Sequence, residues 1–101
     1  MIIRWTLTAQ RDLNEIDDYV TQDNPAAAVR LLDEIRNGVG RLATFPHMGR
    51  EGLVPGTREL VMAGLPYVIA YRLRQGAIEV LAVLHTARDR AQMLSRDSGP
   101  K

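Results

Sequence analysis

The chain is predicted to be an α+β domain: an N-terminal strand, an antiparallel helical hairpin packed on one face of a small, mostly antiparallel sheet, and a short C-terminal helix, in the order β-α-α-β-β-β-α. Three observations predict this. Residues 66–74 and 77–85 are two β-rich runs separated only by Gln75-Gly76, a two-residue reversal. Two earlier segments carry apolar side chains at steps of three and four, the period of an amphipathic helix. A stretch with little periodic signal, 47–56, divides the helical half from the strand half.

Taken in order, residues 2–6 read as a short strand. Thr8 suits a helix N-cap, and Ala9, Leu13, Ile16 and Val20 then form one helical face. Asp12, Glu15, Asp17 and Asp18 fall mostly on the solvated side. Asn24-Pro25 restarts the chain, because Asn caps and Pro at the first helical position forfeits no hydrogen bond. The second helix is predicted over 25–44, with Val29, Leu32, Ile35, Val39 and Leu42 as its stripe. Gly38 and Gly40 each cost about 1 kcal/mol inside a helix, which points to close approach of the first helix or the sheet, or to an early end; the stripe's continuation through Leu42 favours close approach. Phe45-Pro46 ends it. Strands are predicted near 57–63, 66–74 and 77–85, and a final helix over about 86–96. Residues from about 97 onward are expected to fray.

The reversal at Gln75-Gly76 sets a register in which Arg74 faces Ala77. Continued along both strands, it directs Tyr67, Ile69, Tyr71 and Leu73 with Ile78, Val80, Ala82 and Leu84 toward the helices. If buried, the Tyr71 hydroxyl then needs a partner. The opposite face holds Val68, Ala70, Arg72 and Arg74 with Ala77, Glu79, Leu81 and Val83, and His85 lies at its end. Arg72 and Glu79 meet as a cross-strand ion pair. The strip Val68, Ala70, Leu81 and Val83 is expected to be uncovered, as docking surfaces are.

At 101 residues the chain makes one domain, 1–101. It has no cysteine, which removes disulfide and thiolate chemistry and fits a reducing cytoplasm. No run approaches the roughly 18 apolar residues of a membrane span, and the N-terminus lacks the pattern of a secretory signal. Net charge is +1, unevenly placed: five arginines against seven acids over 1–45 (−2), and seven arginines and a lysine against five acids over 46–101 (+3). That is far short of a dedicated nucleic-acid binder, whose pI exceeds about 9. His47 and His85 lack the local spacing of a metal site, and no cofactor is expected. His47 and Arg50 read as solvated loop residues, and Trp5 as core.

An ordered series of short motifs runs along the chain: Trp5-Thr-Leu-Thr-Ala9 with Asp12-Leu13 and Ile16, Asn24-Pro25 with Ala28, and Leu42-Ala-Thr-Phe-Pro46 followed by Gly49-Arg50. Gly56-Thr-Arg-Glu-Leu60, Pro66-Tyr67 with Tyr71-Arg72, and Val83-Leu84-His85 with Ala87-Arg88-Asp89 complete it. Taken together, the series resembles the ParE/RelE superfamily of toxins from bacterial toxin–antitoxin modules. The resemblance spans nearly the whole chain and implies the fold derived above. It also implies one of two activities. ParE-type members bind DNA gyrase and stall it, whereas RelE-type members cleave messenger RNA in the ribosome. Fold alone does not choose between them.

A metal-free ribonuclease needs a base, an acid and cations at the phosphate. His85 with Arg58 and Arg72 could supply these, with Glu59 as a second base. Alternatively His85 ends a strand and bonds the backbone, and Arg72 belongs to Glu79. RelE-type members resemble one another in lysine-rich loops and a late tyrosine. Here the one lysine is Lys101, and no tyrosine follows Tyr71. The reading adopted is therefore a gyrase-directed toxin of the ParE branch that acts by binding, with target contacts through the helical hairpin, Arg88 and Arg90. The alternative is a ribosome-dependent endoribonuclease. Either implies a small antitoxin in a hetero-oligomer, with an acidic amphipathic segment docked on Val68, Ala70, Arg72, Arg74, Leu81 and Val83.

Overall fold

A computed structural model describes residues 1–89. The order is β1 (Ile2–Trp5), α1 (Leu7–Asp23), α2 (Pro25–Gly40), a 3₁₀ turn (Arg41–Ala43), β2 (Arg50–Glu51), β3 (Arg58–Val61), β4 (Tyr67–Arg74) and β5 (Ala77–His85). The five strands form one sheet in the order β1-β5-β4-β3-β2. Only β1 runs parallel to its neighbour, β5. This is the predicted α+β architecture, with one strand the sequence reading missed: β2 lies inside the predicted loop and pairs Arg50 with Glu59 and Glu51 with Arg58. The final helix expected over 86–96 is not begun at 86–89, which form a turn; its remainder and the expected frayed end lie outside the described residues.

The helices begin where side chains meet the free N–H groups of a first turn. Thr6, not Thr8, caps α1: its Oγ1 accepts from Ala9 N at 3.2 Å. Thr6 wins because it is still extended (ψ 162°) and its own N–H donates to Val80 O at 3.1 Å, so the sheet delivers it to the cap position. Asn24 is the whole link between the helices. Its N–H donates to Val20 O, closing α1, and its Oδ1 accepts from Ala27 N at 3.0 Å, opening α2.

One face of the sheet carries the core. Ala9, Leu13 and Ile16 of α1 and Leu32, Ile35 and Val39 of α2 pack with Leu42 on Leu60, Met62, Tyr67, Ile69, Tyr71, Ile78, Val80 and Val83. Trp5 packs against this cluster half-buried. The α2 stripe is as predicted at Leu32, Ile35, Val39 and Leu42 and differs only at its first position. Val29 is 63% exposed and Ala28 is buried in its place. The buried series 28, 32, 35, 39, 42 keeps the 3.6 period. Gly38 is a close approach as predicted: a Cβ there would lie 2.6 Å from Met62 Cε. Gly40 has open space around it and simply ends the helix.

The β4–β5 register starts as predicted, from Arg74 opposite Ala77 to Tyr71 opposite Val80, and then shifts. Ala70 pairs with Ala82, Ile69 with Val83, Val68 with Leu84 and Tyr67 with His85. Leu81 is the extra residue of a β-bulge, so every β5 side chain beyond it changes face. Two groups from outside the hairpin hold the bulge. Thr6 Oγ1 donates to Leu81 O at 3.2 Å, and Asp12 Oδ2 accepts from Val83 N at 2.8 Å. Asp12 is therefore not a solvated charge.

Candidate functional site

The bulge rearranges the surface expected from the hairpin. Val83 points beneath the helices and is 2% exposed, so it leaves the proposed docking strip. Val68 (2%) and Ala70 (0%) keep the predicted face but are closed off from solvent, which corrects the expectation of an open strip. Each sits in a central strand between two neighbours, Val68 between Val61 and Leu84, and Ala70 between Glu59 and Ala82. Leu81 is half-buried at the bulge. Arg72 lies on the side away from the helices, with Nε 2.5 Å from Glu79 Oε1, as the sequence reading had it. Arg74 is exposed at the turn. What remains accessible of the six residues is Arg72, Arg74 and part of Leu81.

The ribonuclease candidates do not converge. Arg58 pairs with Tyr71 and shares its face, Arg72 occupies the opposite face, and His85 pairs with Tyr67. At about 3.3 Å per residue, Tyr67 and Tyr71 alone separate Arg58 from His85 by about 13 Å along the sheet. Each candidate is also engaged. Arg58 Nη1 donates to Gly49 O at 2.5 Å and lines a cavity of about 350 Å³ with His47 and Thr57. Glu59 is buried and bonds the Arg50 guanidinium at 3.1 Å. His85 Nδ1 accepts from Ala87 N (3.2 Å) and Arg88 N (3.0 Å), the backbone role that was its plainer reading.

Tyr71 organises the 44–50 loop. Fully buried, its hydroxyl donates to Pro46 O (2.8 Å) and accepts from Gly49 N (2.9 Å). A Cβ on Gly49 would stand 2.7 Å from the Tyr71 ring and 2.9 Å from Glu59 O, so only glycine fits. The loop in turn presents Phe45 and Met48, both exposed. With Val61 these flank troughs that Arg41 and Arg50 border. The exposed apolar loop residues escaped the sequence reading because a loop carries no periodicity to flag them.

At the other end of β5 lies a second cavity, about 400 Å³, lined by Tyr19, Val20, Tyr67, His85 and Arg88. The Tyr67 ring meets His85 edge-on, with centroids 5.3 Å apart. Arg88 Nη2 sits 3.3 Å from Asp89 Oδ2, and Asp89 also accepts from His85 N at 2.7 Å. Burial pushes the Asp89 carboxyl up, but these two bonds outweigh it and hold it below its ordinary value. The same bond to Asp89 raises Arg88. Burial raises Tyr67, and it also raises Asp12 against the opposing bond from Val83. Arg90, the other proposed target contact, lies outside the described residues. Among the described residues no cluster of His, Cys, Asp or Glu could hold a metal ion, and no helix is long and apolar enough to cross a membrane.

The fold and these surfaces define a small α+β protein with exposed apolar and arginine-bordered patches. The family model of the ParE toxin of the type II toxin–antitoxin system parDE matches residues 3–90, and the chain belongs to that family. Y4kP of Sinorhizobium fredii, which carries the name of a toxin, is 45% identical over 92 residues, covering 91% of this chain and 95% of its own. Toxin RelE2 of Caulobacter vibrioides is 39% identical over 85 residues, 83% of this chain and 93% of that one. Toxin RelE1 of the same organism is 30% identical over 87 residues, 84% and 92%. A chain in the solved chromosomal ParDE toxin–antitoxin system from P. aeruginosa superposes with TM-score 0.76 at 26% identity, over 84% of this chain and 95% of that chain. The protein is thus a type II toxin whose family pairs it with an antitoxin.

Proposed function

We propose that the toxin acts by binding DNA gyrase and stalling it, without chemistry of its own. The observation that carries this is the dispersal of His85, Arg58 and Arg72, each already held by a backbone group or a carboxylate. A phosphoryl-transfer site needs its base, acid and cations within reach of one phosphate. The target contacts are the exposed side of the helical hairpin with Arg88 and Arg90. Relaxed plasmid, gyrase and ATP, titrated with purified toxin, should show falling supercoiling and trapped cleavage complexes. Undiminished supercoiling would reject the reading.

The names of the two Caulobacter relatives favour a second reading, ribosome-dependent cleavage of messenger RNA. Primer extension on a translated message would then show toxin-dependent ends that His85→Ala removes. In cells, filamentation with DNA damage marks the first reading and immediate translation arrest the second.

The antitoxin is proposed to neutralise the toxin by covering Phe45, Met48 and Val61 beside Arg41 and Arg50, with Arg72, Arg74 and Leu81 as a second contact. An acidic amphipathic segment that folds as it docks suits apolar groups bordered by guanidinium.

A further inference from the structure

The cavity between α1 and the end of β5 contains a donor that no described residue meets. Tyr67 is only 6% exposed, yet among the described residues nothing bonds its hydroxyl. Buried hydroxyls are nearly always paired, so one left open in a cavity wall marks a place for a ligand group. Two further donors share the wall. His85 receives two backbone N–H groups on Nδ1, which keeps its proton on Nε2, and no described residue accepts from that atom. Arg88 spends Nε and Nη2 on Asp89, leaving Nη1. The rest of the lining is Val20 and the rings of Tyr19 and Tyr67, with the Tyr19 hydroxyl as a further polar group.

The donors of Tyr67, His85 and Arg88, with the Tyr19 phenol at the rim, suit an oxygen-rich acceptor. A polynucleotide is a poor fit. Helix α1, which forms one wall, carries Asp12, Glu15, Asp17, Asp18 and Asp23 against Arg11 alone, and every further phosphate would be brought past them. A single carboxylate brings one charge into that field where a polynucleotide brings many, so the short-range bonds can outweigh the repulsion, and the aromatic wall suits the methylenes behind it. We infer that this cavity is a carboxylate subsite that seats one Asp or Glu side chain of the antitoxin on Tyr67 Oη, with His85 and Arg88 beside it. This rests on the antitoxin partnership proposed above. It adds a discrete anchor at the far end of β5 from the arginines of the turn, and an occupant there shields Arg88 from the target.

The test is calorimetric titration of wild-type and Tyr67→Phe toxin with purified cognate antitoxin. Phenylalanine keeps the ring and removes only the hydroxyl, so circular dichroism should show an unchanged fold. A hydrogen bond to a charged group corresponds to a roughly tenfold to hundredfold loss of affinity for Tyr67→Phe. Replacing antitoxin acids by amides one at a time should identify one position whose effect vanishes in the Tyr67→Phe background. Equal affinity for both toxins would overturn the subsite while leaving the partnership standing. No binding even by the wild type would overturn the partnership itself, and the subsite with it. Tyr67-dependent binding of a short RNA, with the antitoxin indifferent to Tyr67, would overturn the choice of ligand.

Discussion

Tyr71→Phe should cost the fold about 2 kcal/mol. The hydroxyl has two partners in different settings. Gly49 N is buried and has no water to turn to, and an unsatisfied buried donor costs about 1–3 kcal/mol. Pro46 lies in an exposed stretch, so its carbonyl can be rehydrated and adds little. The ring stays and no cavity opens. For a domain of this size 1 kcal/mol moves Tm by about 4–8 °C, so the melting temperature should fall by about 8–16 °C. Thermal unfolding followed by circular dichroism measures it. Tyr67→Phe is the matched control: it deletes a hydroxyl with no partner in the described chain, so its Tm should hold or rise slightly. Equal shifts in the two variants, or a loss below about 0.5 kcal/mol for Tyr71→Phe, would refute the view that this hydroxyl pins the loop.

The remaining predictions concern the loop, the bulge and pH. Gly49→Ala forces a methyl against Tyr71 and backbone, and urea unfolding should show a loss of about 1–3 kcal/mol. Thr6→Ala removes both the α1 cap and the bond to Leu81 O, for about 1–2 kcal/mol in the same assay. Asp12 has a raised pKa in the fold, so the native state holds its proton more tightly and stability falls as pH climbs from about 3.8 through the raised value. Asp12→Asn keeps an acceptor for Val83 N and should remove that decline. Asp89 is lowered, so its contribution is present above about 3.8 and lost on acidification through the folded value. Asp89→Asn should flatten the acid side of the stability–pH curve.

Much of the fold was legible because local rules carry it. Asn24-Pro25 specifies a break whatever surrounds it, the 9, 13, 16, 20 spacing specifies one face, and Gln75-Gly76 has positive φ at both residues, as a tight reversal requires. The misreadings share a cause. Val29 or Ala28 inside, Thr6 or Thr8 as cap, and Val83 or Leu84 toward the helices are each close in local preference, and distant groups decided them. The bulge at Leu81 is invisible in a smoothly apolar strand. Thr6 and Asp12, 75 and 71 residues away in sequence, supply the bonds that hold it. The candidate site suffered most, since one inserted residue moves a β5 side chain from one face to the other.

By itself the sequence determined the first strand, the helical hairpin, the three longer strands that follow, the turn between the last two, and the ParE/RelE resemblance. All of these are written in spacings of a few residues, where backbone geometry is settled by near neighbours. Tertiary structure alone decided which arginines are free, which face takes Val83, and that Tyr67 and His85 wall one cavity. Those outcomes depend on hydrogen bonds between residues far apart in the chain, and strand register is cooperative: a bond made at one bulge fixes every side chain beyond it.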